Sequence, residues 1–101
     1  MNTLTLEYPA SKSIQKKAHT GIVGSGDLEV LMRPAAGEQS TVEIRTSLDG
    51  FEDMWRYVLD RFMEENEPAV HIQVNDFGAT PGVVKLRLEQ ALEEGNDEVN
   101  Q

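Results

Sequence analysis

Thr41-Val42-Glu43-Ile44-Arg45-Thr46 and, shortly after it, Phe51-Glu52-Asp53-Met54-Trp55-Arg56-Tyr57-Val58-Leu59-Asp60-Arg61-Phe62-Met63 follow two different periods, and the switch between them decides the fold class. In the first stretch Val42 and Ile44 alternate with Glu43 and Arg45, the period-two pattern of a strand with one apolar face. In the second, Phe51, Met54, Trp55, Val58, Leu59, Phe62 and Met63 recur at i, i+3, i+4, i+7, i+8, i+11 and i+12, which is one stripe of an amphipathic helix. Asp49 with Glu52 three residues later reads as a capping box, and the helix should stop before Pro68, because the residue preceding a proline avoids the helical region.

Outward from this switch the same two patterns repeat. Val70, Ile72 and Val74 alternate with His71, Gln73 and Asn75 as a strand. Thr80-Pro81 then reads as N-cap and first residue of a second helix, with Pro81, Val84, Leu88, Ala91 and Leu92 as its buried stripe and Gly95 as its terminator. Val83 and Leu86 fall off that stripe and are candidates for a subunit contact. Towards the N-terminus, Leu4, Leu6 and Tyr8 alternate with Thr3, Thr5 and Glu7 as a strand that Pro9 stops. Residues 10–17 are polar and basic without a period and read as a mobile connection, and 96–101 as an acidic, frayed tail. Ala18 to Val23 and Leu28 to Arg33 flank Gly24-Ser25-Gly26-Asp27, the composition of a β-hairpin turn, and Arg33-Pro34-Ala35-Ala36-Gly37 marks a second turn. Strands with one polar face and helices with one apolar stripe satisfy each other as an α+β two-layer sandwich. The expected architecture is a mainly antiparallel sheet of four to five strands with two helices on one face.

Composition narrows the function classes. With 101 residues and 39% hydrophobic content the chain is read as one domain spanning 1–101. It has no cysteine, which excludes a disulfide frame, a thiolate metal site and a cysteine nucleophile. Eighteen acidic residues against nine Lys and Arg give a net charge of −9, which repels phosphate backbones; Lys12, Lys16 and Lys17 are too few for a nucleic-acid footprint. No apolar run approaches the roughly 20 residues that cross a bilayer, so the sequence reads as that of a cytoplasmic protein bound to neither nucleic acid nor membrane. The acidic surface suits docking on basic protein patches as well as plain solubility.

Few residues are placed for chemistry. In Gly24-Ser25-Gly26-Asp27 the glycines remove bulk on both sides of one hydroxyl and present it at the tip of a turn. As a nucleophile Ser25 lacks a nucleophile-elbow spacing, and neither His19 nor His71 stands in a triad-like arrangement with it. The histidines also lack metal-ligand spacing. Asp76-Phe77-Gly78 matches a kinase magnesium motif in letters only, since a chain of this length has room for no kinase fold. Its expected role is a shaped strand-to-helix connection with Phe77 tucked into the core. Trp55 falls within the helical stripe and is read as packing. Asp27 is read two ways, as a residue orienting the serine or as one bonding its own backbone.

Two stretches carry a family resemblance: Val23-Gly24-Ser25-Gly26-Asp27-Leu28-Glu29-Val30-Leu31, and Asp76-Phe77-Gly78-Ala79-Thr80-Pro81-Gly82-Val83-Val84-Lys85-Leu86-Arg87-Leu88-Glu89-Gln90. Together they resemble the acyl carrier proteins of malonate decarboxylase, the delta subunits. The acyl carrier subunit of citrate lyase looks like a more distant relative. The resemblance implies a non-catalytic carrier in malonate catabolism whose serine, here Ser25, bears 2'-(5''-phosphoribosyl)-3'-dephospho-CoA through a phosphodiester, with Gly24, Gly26 and Asp27 as the supporting turn. The arm's thiol would cycle acetyl and malonyl groups among an acyl transferase (alpha) subunit, decarboxylase beta and gamma subunits and a malonyl transacylase, after loading by a prosthetic-group transferase. The familiar helical fatty-acid carriers present serine in an Asp-Ser-Leu motif at a helix start, so a plain phosphopantetheine is not what this turn implies. Two other classes stay open on the residues: a cofactor-free regulatory or scaffold subunit, which predicts full complex activity from Ser25→Ala protein, and a free-standing hydrolase.

Overall fold

The computed structural model describes residues 2–37, 39–47 and 49–96. Its elements run β1 (Asn2–Pro9), β2 (Lys12–Ser13), β3 (Ala18–Gly21), β4 (Leu28–Pro34), β5 (Gln39–Thr46), α1 (Glu52–Asn66), β6 (Pro68–Asp76) and α2 (Pro81–Asn96). The main sheet has the order β1-β5-β6-β4-β3, with the two-residue β2 attached in parallel to the start of β6. Three of its pairs are antiparallel, and β5 with β6, joined through α1, is parallel. The α+β two-layer sandwich expected from the sequence is the observed architecture, with five ladder strands and β2 as an additional short one.

Alternation decides which face of the sheet is covered. Val42, Ile44, Val70, Ile72, Val74, Leu28, Val30 and Met32 point to the helices and are buried, together with Trp55, Leu59 and Phe62 of α1 and Val84, Leu88 and Ala91 of α2. His71 and Arg33, neighbours in the β4–β6 register, are exposed on the opposite polar face. Ser40, Thr46 and Asp76 are the buried polar residues among those described; Ser40 is fully buried, its hydroxyl donating to the Pro68 carbonyl and accepting from the Val70 N–H at 2.9 Å. It bridges the parallel pair where an unpaired hydroxyl would cost about 1–3 kcal/mol.

Segment 10–17 corrects the sequence reading. It is anchored, not mobile. Ser11 and Lys12 donate their N–H groups to the Glu67 carbonyl at 3.0 Å each, β2 pairs with β6, and the Ile14 side chain is buried in the core. Gln15 and Lys16 then donate to the Gly95 carbonyl at 2.8 and 3.0 Å. The signal was weak because a single apolar residue, Ile14, makes no period.

The helix ends differ in detail as well. Asp49 does not cap α1; its carboxylate accepts from the Asn2 side chain, and Phe51 takes the cap position without a side-chain bond. Glu52 and Asp53 in the first turn still complement the helix dipole. Phe51 itself is exposed, so the buried stripe starts at Met54 and Trp55. The helix stops at Asn66 before Pro68, closed by Glu67 in a left-handed conformation, whose N–H donates to the Met63 carbonyl at 2.8 Å. In α2, Thr80 is the expected cap, its hydroxyl accepting from the Val83 N–H at 3.3 Å. Pro81 is exposed rather than part of the stripe, and Val83 is half-buried against the core. Gly95 does not terminate the helix; it lies inside it, where a Cβ would come within 3.2 Å of both Ile14 Cδ1 and the Lys16 carbonyl. The glycine is required by close packing of segment 10–17, and of the expected tail only Asn96, the last residue of α2, lies within the described residues.

Candidate functional site

The β3–β4 hairpin places Ser25. Its register pairs Gly21 with Glu29 and leaves residues 22–27 as the connecting loop. Within it the Asp27 N–H donates to the Gly24 carbonyl at 3.2 Å, closing a turn that holds Ser25 and Gly26 at its tip. Gly26 has φ +78, and an added Cβ there would meet nothing within 4 Å. Ser25 is exposed, and among the described residues its hydroxyl takes no hydrogen-bond partner.

A second loop fixes the first. The Gly26 N–H donates to the Phe77 carbonyl at 2.8 Å, and the Phe77 N–H donates to the Asp27 carbonyl at 2.9 Å. Since Leu28 pairs with Asp76 at the end of β4–β6, these reciprocal bonds extend that ladder directly into the turn. Asp76 supports the arrangement from below: its buried carboxylate accepts from the Thr46 hydroxyl at 2.9 Å and from the Gly78 and Ala79 N–H groups at 3.2 and 3.0 Å. Gly78, at φ +95, lies against the turn, where an added Cβ would make an ordinary contact 3.8 Å from the Gly26 nitrogen. The two sequence stretches singled out above, some fifty residues apart, thus form one structural unit.

Phe77 does this with its backbone. Its ring is 38% exposed, not tucked into the core as expected. The reason lies in the alternation: Val70, Ile72, Val74 and Asp76 point inward, so the following residue leaves the core side.

Asp27 has a partner that the sequence did not reveal. Arg87 of α2 clamps its carboxylate with both arms, Nε to Oδ1 at 3.2 Å and Nη2 to Oδ2 at 2.7 Å, while the Leu28 N–H donates to Oδ1 at 2.7 Å. Arg87 also reaches Gln90 at 3.0 Å. The guanidinium first, and the Leu28 amide second, hold the Asp27 carboxyl below its ordinary range. Of the two sequence readings of Asp27, the backbone bond is present, and the arginine bond is added to it. The contribution of this depressed carboxyl to stability is fully present above the unfolded-state value of about 3.9 and is lost as pH falls through the lower folded-state value. Carbon-detected titration should place the Asp27 midpoint below the ordinary aspartate value, and Arg87→Met should move it upward; an unmoved midpoint would show that the clamp does not form in solution.

The remaining candidates lie elsewhere. His19 is bonded to Glu29 at 2.9 Å on the exposed face of the sheet, and Asn75 donates to the same carboxylate at 2.9 Å. The Asn75 bond, and after it the His19 bond, depress the Glu29 carboxyl. His71 is exposed on β6, beside Arg33 and Thr41. Neither histidine is bonded to Ser25 among the described residues, so the turn presents a hydroxyl without a base. Arg87 and Gly21 are the site residues that sequence reasoning missed; Arg87 lies within the second resembling stretch, but nothing in that stretch announces a partner 60 residues away.

The geometry is that of an exposed hydroxyl on an anchored turn, and comparison with known proteins identifies the family. Residues 15–95 match the acyl carrier family described as the malonate decarboxylase delta subunit (MdcD). The malonate decarboxylase acyl carrier protein of Pseudomonas aeruginosa strain UCBPP-PA14 is 52% identical over 99 residues, covering 96% of this chain and 100% of the relative. That of Pseudomonas fluorescens strain SBW25 is 48% identical with the same coverage. Among solved structures, a chain of the Pseudomonas malonate decarboxylase hetero-tetramer in complex with malonate superposes with a TM-score of 0.87 at 44% identity, covering 93% of this chain and 98% of that one. The family match spans residues 15–95, the relative and the superposed chain cover 96% and 93% of this chain, and the chain therefore belongs to the malonate decarboxylase delta-subunit family of acyl carrier proteins.

Proposed function

We propose that this chain carries acetyl and malonyl groups as thioesters on 2'-(5''-phosphoribosyl)-3'-dephospho-CoA, joined through a phosphodiester to Ser25. The observation that carries the reading is the exposed Ser25 hydroxyl, without a hydrogen-bond partner among the described residues, on a turn pinned by the Gly26–Phe77–Asp27 backbone bonds. The residues present fit such a group: the tip of the turn is open, and the chain has no cysteine of its own. When bound, the group supplies the thiol, and a malonyl thioester delocalises into its carbonyl the charge left when carbon dioxide departs.

Attachment is a substitution at phosphorus. Ser25 Oγ forms a bond to the phosphorus of a donor in which that atom bears a diphosphate leaving group; the bond to diphosphate breaks, and the hydroxyl proton passes to a base of the prosthetic-group transferase. The carrier contributes position only. Gly24 and Gly26 leave the approach unobstructed, and the Arg87–Asp27 clamp keeps the turn in one conformation. The structural relative is a hetero-tetramer, which supports work within an assembly. The acyl transferase (alpha), beta and gamma subunits, the transferase and a malonyl transacylase are the proposed partners. A tethered acyl group reaches them at an effective concentration of about millimolar.

Intact-mass measurement of protein made together with its accessory enzymes tests the reading. The expected result is one nucleotide-sized adduct, located on Ser25 by fragmentation and absent from Ser25→Ala protein. An unmodified mass, or an adduct on another residue, would sink it.

A further inference from the structure

The turn that carries Ser25 is bordered by apolar side chains that face solvent. Ile22 and Val23 are 64% and 66% exposed, in a chain whose other described β-branched aliphatics are mostly in the core, and Phe77 on the adjoining loop is 38% exposed. Ile22 leans on the turn itself, its Cδ1 3.5 Å from where a Gly24 Cβ would be, and Phe77 is bonded through its backbone to Gly26 and Asp27. The collar so formed has no net charge of its own. Asp27 is neutralised by Arg87, and residues 22–26 are uncharged, although the whole chain carries −9.

Resting on the proposed function, we infer that Ile22, Val23 and Phe77 are the docking surface for the enzyme that attaches the prosthetic group to Ser25, which recognises this carrier by apolar contact rather than by its acidity. The position of the reacting atom identifies the occupant. That enzyme makes a bond to Ser25 Oγ itself, so its active site must close over the residues flanking the serine and cover the collar in every productive encounter. Partners that act on the thiol meet the far end of the arm and have no such requirement. The collar is also held before any partner arrives, by the Gly26–Phe77–Asp27 bonds and the Arg87–Asp27 clamp, so little ordering cost opposes docking. Binding energy in protein interfaces concentrates in a few well-packed, desolvated contacts near their centre, and the collar surrounds the point where the partner must close.

The test uses the purified full-length carrier in its unmodified form, the transferase and its donor, with attachment followed by intact mass over a range of carrier concentrations. The Ile22→Ser/Val23→Ser double variant and the Phe77→Ser variant should each raise the KM for the carrier about tenfold or more with kcat nearly unchanged. Ile22→Leu and Val23→Leu should restore it, and the wild-type KM should change little from about 0.05 to 0.5 M salt. Tyr57→Ser, which removes an equally exposed apolar group from α1, should leave KM unaltered. Thermal melting excludes unfolding as the cause. An unchanged KM in the collar variants, an equal rise in Tyr57→Ser, or a steep salt dependence overturns the inference while the Ser25 adduct on wild-type carrier keeps the functional reading intact. Absence of that adduct overturns both.

Discussion

A malonate decarboxylase complex rebuilt around Ser25→Ala carrier should lose essentially all turnover, because the chain has no cysteine of its own and no other thiol would remain to carry the acyl group. The comparison with Ser25→Cys separates the hydroxyl from the thiol. That variant puts a sulfur on the same turn, yet it should be equally inactive, because a thiol one bond from Cβ has none of the reach of the proposed arm. Decarboxylation measured as carbon dioxide release, with the carrier variants exchanged into otherwise identical complex, gives the result directly. Full turnover with Ser25→Ala would instead support a cofactor-free scaffold, the rival reading that the residues alone left open.

Gly21→Ala should be the most damaging single-methyl addition to the fold. Gly21 sits at the last β3 position with φ +82, and an added Cβ would lie 1.8 Å from the Leu28 carbonyl oxygen, a backbone atom that no side-chain rotation can move. The left-handed conformation costs an L-residue about 1–2 kcal/mol, and opening the hairpin end sacrifices a ladder bond worth about 1 kcal/mol more. A total near 3 kcal/mol lowers Tm by about 15 °C for a domain of this size. Gly26 is the control. It has a similar φ of +78 but open space around it, so Gly26→Ala pays only the conformational penalty and should melt about 5 °C higher than Gly21→Ala. Equal melting temperatures would show that the close approach to Leu28 is relaxed in solution.

Most of the fold was legible because periodicity reports burial. The alternation in 41–46 and 70–75 and the helical stripe from Trp55 to Met63 appear in the structure with their faces as expected. What remained hidden was held by single contacts, not by patterns. Ile14 is one buried residue in a polar segment, and Gly95 looks like a helix stop although it is there to let Ile14 and Lys16 approach. The parallel β5–β6 pair was equally silent, since alternation states which face is buried and not which neighbour lies alongside. At the site, Ser25 and its glycines could be picked out from local composition. The Arg87 clamp and the Phe77 backbone bonds could not, because a carboxylate or an amide in a turn has many potential partners and only the folded chain selects one.

The anchoring of segment 10–17 has a consequence for how the domain melts. Neither helix has a basic residue in its last turn. Carbonyls at the end of α2 and just beyond α1 are instead met by N–H groups of Ser11 and Lys12 at Glu67 and of Gln15 and Lys16 at Gly95. One short stretch thus meets the ends of both helices. Fraying at either end would release residues that close the other, so hydrogen exchange is expected to show the two helix ends opening together.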